Sequence, residues 1–202
     1  MGKSSVLSLF KKFGALTINT DEIVGSLLKE GGALEKIKGL LGREVFLGNG
    51  SLNTKNVADV IFRDDSLRRS LEDILHPLVF ERINLLLDEI GDGDQVIVIE
   101  IPLLFERGYE GRFDKTVTVY AKKETALDRL AKQGISREDA LLRLKSQLSV
   151  EEKIRRSDFA IDNNGTIEET MPQVETICKE LLKEAKKHGN HTGSRKFKQE
   201  LS

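Results

Sequence analysis

Gly2-Lys3-Ser4-Ser5 carries the closing half of the phosphate-binding pattern G-x-x-x-x-G-K-[ST], and an amphipathic run follows it directly. In a complete loop of this kind, backbone N–H groups surround the β-phosphate and the lysine reaches the β and γ oxygens. The first hydroxyl after the lysine ligates magnesium. The helix that follows adds its own positive end, worth roughly 0.3 to 2 kcal/mol to an anion. The same four residues also read as a serine-rich helix start behind Met1, and four residues alone do not decide between the two.

Asp21 is the second residue with chemical potential. It follows the apolar run Ala15-Leu16-Thr17-Ile18-Asn19 and opens a helix, so in a parallel sheet it stands at the carboxyl edge, where ligands collect. A carboxylate there can take a proton from a substrate hydroxyl and align it against a γ-phosphate; an acidic first turn that offsets the helix dipole gives the same sequence. Glu106, at the end of Ile101-Pro102-Leu103-Leu104-Phe105-Glu106, can face a substrate or cap a turn. His76, before Pro77, can contact phosphate or mark a helix junction. Arg129, Arg137, Arg143, Lys145 and Lys153 form a basic stretch that suits a flap over polyphosphate, although interspersed Glu138, Asp139, Glu151 and Glu152 also suit solvated helix faces.

The elements that would position these residues follow from periodicity. Val6, Leu7, Leu9, Phe10 and Phe13 predict a helix over 4–13 ended by Gly14. Strands are predicted at 15–19, 95–101, 115–120 and 159–162, with Val45-Phe46-Leu47 a weaker candidate. Helices are predicted at 20–28, 56–62, 66–75, 78–90, 123–132, 137–148 and 167–187, with His76-Pro77 separating two of them. Strands alternating with helices predict a parallel, doubly wound α/β sheet. The expected organisation is a nucleotide-binding α/β core over 1–30 and 91–187, including a helical lid at about 123–157. A helical region over 31–90 interrupts it, and a flexible polar tail covers 188–202.

Composition narrows the classes. With 202 residues the chain can bury a core without disulfides, and its one cysteine excludes a disulfide framework or a cysteine zinc cluster. Basic and acidic residues balance at 32 against 33, which argues against a polycationic nucleic-acid binder. No stretch is apolar enough to span a bilayer, and no signal-peptide order begins the chain, so the expectation is a cytoplasmic protein without membrane partners. Composition leaves the oligomeric state open.

Taken together, GKSSV, DEI at 21–23, GNGSLNTKNVADVIFRDDSLRRSLEDILHP, IPLLFE and GISREDALLRLKSQLSVEEKIRRSDFAIDNNG resemble one family, dephospho-coenzyme A kinase. The resemblance runs in order from residue 2 to about 180. It implies a three-layer P-loop kinase fold with a helical substrate-binding insertion and a helical lid. The implied reaction is transfer of a phosphoryl group from ATP, with Mg2+, to the ribose 3′-hydroxyl of dephospho-coenzyme A. On that reading Asp21 is the base, Lys3 is catalytic, and Gly2, Lys3, Ser4 and Ser5 hold the phosphates, with Ser4 on the metal. Arg143 and Gln147 belong to the lid, Asn163 lies near the adenine, and His76, Glu106 and Gln147 serve the substrate. The chain departs from the family at Asn19, where an aspartate is common, and at Gln133, where a second basic residue is common. Family members begin with a central strand and a full loop, so the resemblance leads to the expectation that the natural protein extends about a dozen or more residues before Met1. The alternatives are a non-catalytic nucleotide or coenzyme binder and a different small-molecule kinase with the same loop.

Overall fold

The structure, a computed structural model, describes residues 2–61 and 63–188; Met1 and the expected tail beyond His188 lie outside the described residues. Two compact units emerge, one built from Met1–Asn19 with Ile90–Ser202 and one from Thr20–Glu89.

In the first unit, α1 (Lys3–Lys12) precedes β1 (Leu16–Asn19), and β2 (Ile97–Glu100) is parallel to β1 in the register Leu16 to Ile97 through Asn19 to Glu100. β3 (Val117–Tyr120) is likewise parallel to β4 (Phe159–Asp162). These four predicted strands are thus present, the first three shortened and the fourth with the expected bounds. The expected continuous sheet is instead two parallel pairs, with no backbone ladder joining β2 to β3 among the described residues. Helices supply the continuity. α1 packs on β1, β2 and α9 (Ile167–His188), while α9 packs on β4. The seam is apolar: Val6, Leu9 and Phe10 of α1 meet Ile161, Val174, Ile177 and Cys178. Phe10 is 2% exposed, and burying a side chain of its kind contributes about 1.5 to 3 kcal/mol. Gly14, at φ 93°, supplies the left-handed residue that stops α1.

Between β3 and β4 lie α6 (Lys123–Lys132), α7 (Arg137–Lys145) and α8 (Val150–Arg156). The single helix predicted over 137–148 ends early because Ser149 caps a new one, its Oγ accepting from the Glu152 N–H at 3.1 Å. Ser136 caps α7 in the same way through Asp139. Both serines act as N-caps, and the helix that Ser149 opens was not among those expected.

The second unit holds α2 (Thr20–Leu27), α3 (Gly31–Leu41), α4 (Thr54–Ile61) and most of α5 (Asp65–Ile90) around Ile37, Leu41, Val45, Val57 and Leu71. The predicted strand at 45–47 is reduced to one antiparallel bridge between Phe46 and Leu52. The predicted break at His76-Pro77 is absent, since α5 runs through Pro77. Pro77 and Asp73, whose carbonyl loses its usual helical donor, both lie on the exposed side, while Leu71, Val79 and Ile83 keep the opposite side buried. Among the described residues no helix is long and apolar enough to cross a membrane.

Candidate active site

Gly2 adopts φ 80°, ψ 26° and caps α1 without any side-chain hydrogen bond to the helix amides. Among the described residues, Val6 N–H is the first amide to bond back, to the Gly2 carbonyl at 3.1 Å. The amides of Lys3, Ser4 and Ser5 therefore form the open N-terminal turn of a ten-residue helix with no acidic residue in it. Open amides, a positive helix end and the Lys3 ammonium are the chemistry that can accept an anion such as phosphate. The left-handed glycine also fits tightly: a Cβ there would stand 2.2 Å from Nδ2 of Asn163.

Ser4 Oγ donates to Oε1 of Glu100 at 3.4 Å. Glu100 is the last residue of β2 and only 9% exposed, so a strand end delivers a carboxylate to the hydroxyl beside the phosphate turn. A hydroxyl and a carboxylate are hard oxygen donors that suit Mg2+, which binds through one or two protein ligands and completes its shell with water and substrate phosphates. Glu100 was missed as a site residue; its signal was a lone carboxylate ending an otherwise apolar strand.

Asn163 is 4% exposed at the end of β4, and its Oδ1 accepts from Thr170 Oγ1 at 3.0 Å. It sits beside Gly2, so the structure brings these two expected residues together. Glu106 and Gln147 also converge, on Lys153. Its Nζ lies 2.8 Å from Oε1 of Glu106 and donates to Oε1 of Gln147 at 3.0 Å, while the Leu148 N–H donates to Glu106 at 3.0 Å. The Glu106 carboxylate thus anchors the turn between α7 and α8 and is neutralised by Lys153. It leaves β2 through a tight loop in which Leu103 has φ 58°, the sole non-glycine residue at positive φ among those described. Arg143 is half-buried on α7. Farther along, Arg156 pairs with Glu110 and lies over the Phe105 ring, 5.4 Å from its centre.

Asp21 and His76 belong to the helical unit. Asp21 is exposed in the first turn of α2, separated from the last residue of β1 by Thr20 alone, and His76 is half-buried inside α5.

The dephospho-CoA kinase family model (CoaE) matches residues 1–169. The chain belongs to the dephospho-CoA kinase family. Among its relatives, a dephospho-CoA kinase of Aquifex aeolicus is 33% identical over 184 residues, covering 91% of this chain and 93% of the relative. One from Bacillus cereus is 37% identical over 181 residues, covering 88% and 90%. In three dimensions the chain is similar to the crystal structure of TT1252 from Thermus thermophilus, with a TM-score of 0.73, 32% identity and 91% coverage of both chains. A dephospho-CoA kinase from Campylobacter jejuni superposes with a TM-score of 0.64 at 26% identity, covering 91% of this chain and 92% of that one. The parallel strand pairs with packed helices are thus those of a P-loop kinase fold, and the family is one of enzymes rather than passive binders.

Proposed function

We propose that this member of the dephospho-CoA kinase family moves the γ-phosphoryl group of ATP to the 3′-hydroxyl of dephospho-coenzyme A, with roles assigned as follows. The open amide turn at Lys3–Ser5 and the Lys3 ammonium hold the β and γ phosphates. Asp21 takes the proton of the 3′-hydroxyl as that oxygen bonds to the γ-phosphorus. The bond from phosphorus to the β–γ bridging oxygen breaks, and ADP leaves with the charge that Lys3 and the amides offset. Ser4 and Glu100 would hold Mg2+, which supplies neutralisation of phosphate charge when bound. Arg143 and the Asn163 loop serve the nucleotide, while Glu106 and Gln147 act on the substrate side through the lid turn that they anchor.

The helical region over 31–90 takes the coenzyme. Its groove of about 660 Å3, with Leu34, Phe46 and Leu47 beside Arg43 and a Lys38 paired to Glu35, offers an apolar wall with an excess of positive charge, as a long amphipathic arm bearing phosphates requires. We place the reaction in the cytoplasm, with no nucleic-acid partner, in keeping with the balanced charge.

The observation that carries this reading is the uncapped, left-handed start of α1 with Ser4 bonded to Glu100. The test is phosphorylation of dephospho-coenzyme A by the purified protein with ATP and Mg2+, followed by mass spectrometry. Asp21→Asn should lower kcat by about 10²-fold or more, the scale of general-base catalysis, while ATP affinity changes less than about threefold. Unchanged turnover would remove Asp21 from the role of base.

A further inference from the structure

One guanidinium joins three segments of the α/β unit. Arg129, on α6, donates from Nη1 to the carbonyl of Asn163 at 2.7 Å and from Nη2 to the carbonyl of Gly165 at 3.2 Å. The same Nη1 lies 3.6 Å from where a Cβ on Gly2 would stand. Arg129 thus occupies the seam between the phosphate turn and the loop that leaves β4.

Its effect on that loop follows from peptide planarity. The carbonyl of Asn163 and the N–H of Asn164 share one rigid plane, as do the carbonyl of Gly165 and the N–H of Thr166. Arg129 holds the carbonyl end of both planes. The other ends are held too, Asn164 N–H by Oδ1 of Asp162 at 2.8 Å and Thr166 N–H by Oε2 of Glu169 at 2.9 Å. Behind them the Asn163 N–H donates to the Tyr120 carbonyl at 2.9 Å, and the Asn164 side chain accepts from the Lys122 N–H at 2.6 Å. Two peptide units of a four-residue loop are therefore pinned at both ends, and one arginine fork supplies half of the pins. A lysine cannot replace it, since an ammonium lacks the planar pair of donors that spans two carbonyls.

We propose that Arg129 is a positioning residue for the nucleotide base: it fixes the loop 162–165 so that the site discriminates adenine from other bases. This rests on the reading of that loop as the neighbour of the adenine. An arginine that instead clamped polyphosphate would serve every nucleoside triphosphate alike.

Steady-state kinetics of Arg129→Lys with ATP and GTP, paired with amide hydrogen exchange, tests the assignment. The expected result is a rise of about tenfold in KM for ATP and a fall of at least fivefold in the ATP-over-GTP ratio of kcat/KM. KM for dephospho-coenzyme A should stay within twofold, and exchange at 163–166 in the free enzyme should quicken about tenfold. Glu169→Ala, at an exposed position that releases the far end of one plane, should shift the ratio in the same direction by about twofold and serves should the Arg129 variant fail to fold. Equal losses for both nucleotides, or an unchanged ratio with unchanged exchange, overturn the proposal while leaving the loop's place beside the base intact. If ATP gives no protection at 163–166 in the parent enzyme, the reading of the loop itself fails, and the proposal falls with it.

Discussion

Gly2 shows how much one residue decides. Its φ of 80° and the 2.2 Å approach that a Cβ would make to Asn163 Nδ2 both exclude a side chain. Gly2→Ala should therefore cost about 1 to 2 kcal/mol in backbone strain alone, lowering Tm by about 2 to 8 °C in a chain of this size. It should also weaken ATP binding, because the turn's amides move with the glycine; calorimetric titration and a thermal melt check the two parts separately. In the sequence, Gly2 was legible as half of a phosphate pattern. Its pairing with Asn163, 161 positions away in sequence, was not, because nothing local in either residue records the other. Glu100 was hidden for a related reason: a carboxylate at the end of an apolar strand looks like a strand terminus until Ser4 is seen beside it.

At the scale of elements, the turn between α7 and α8 depends on a carboxylate supplied by the loop after β2. Glu106 and Lys153 have side chains only 13% exposed, so removing one partner leaves a mostly buried charge. Lys153→Met should destabilise the protein by about 3 kcal/mol, the lower end of the range for broken buried pairs. The double variant Glu106→Gln with Lys153→Met should recover more than about 1 kcal/mol of that loss, since no charge is then stranded. Urea denaturation midpoints measure both, and strict additivity would show that the pair does not couple. The strands and most helices were readable from periodicity, whereas the break before α8 was written in a serine cap that periodicity ignores. Pro77 misled in the opposite direction. It favours a break locally, and α5 continues because Leu71, Val79 and Ile83 gain more by staying buried on one helix.

For the molecule as a whole, β3 and β4 are tied at their start by Asp158. Burial opposes ionisation of this carboxyl. The hydrogen bonds from the Thr116 N–H at 2.8 Å and Oγ1 at 2.9 Å, together with the Lys115 ammonium at 3.7 Å, more than offset that and hold its pKa below the usual carboxylate range. A carboxyl lowered on folding stabilises the native state above its ordinary pKa, and that contribution drains away as pH falls from about 4 toward the native value. Asp158→Asn should therefore be less stable than the parent at pH 6, and the gap in Tm should narrow as the pH falls below about 4. A gap that persisted unchanged in acid would show that the Asp158 charge contributes nothing. The amino-acid sequence by itself determined the α/β class, the half-pattern at Gly2–Ser5 and the family resemblance, because these reside in local spacing and in the order of short motifs; the helical unit begins at Thr20 rather than at the expected residue 31, a boundary set by contacts and not by local pattern. Only the tertiary structure decided that Glu100 stands against Ser4, that Glu106 is neutralised by Lys153, and that Arg129 pins the loop beside Gly2. Each of these depends on groups 34 or more residues apart, brought together by the packing of α1, α9 and the paired strands, and no local pattern encodes that convergence.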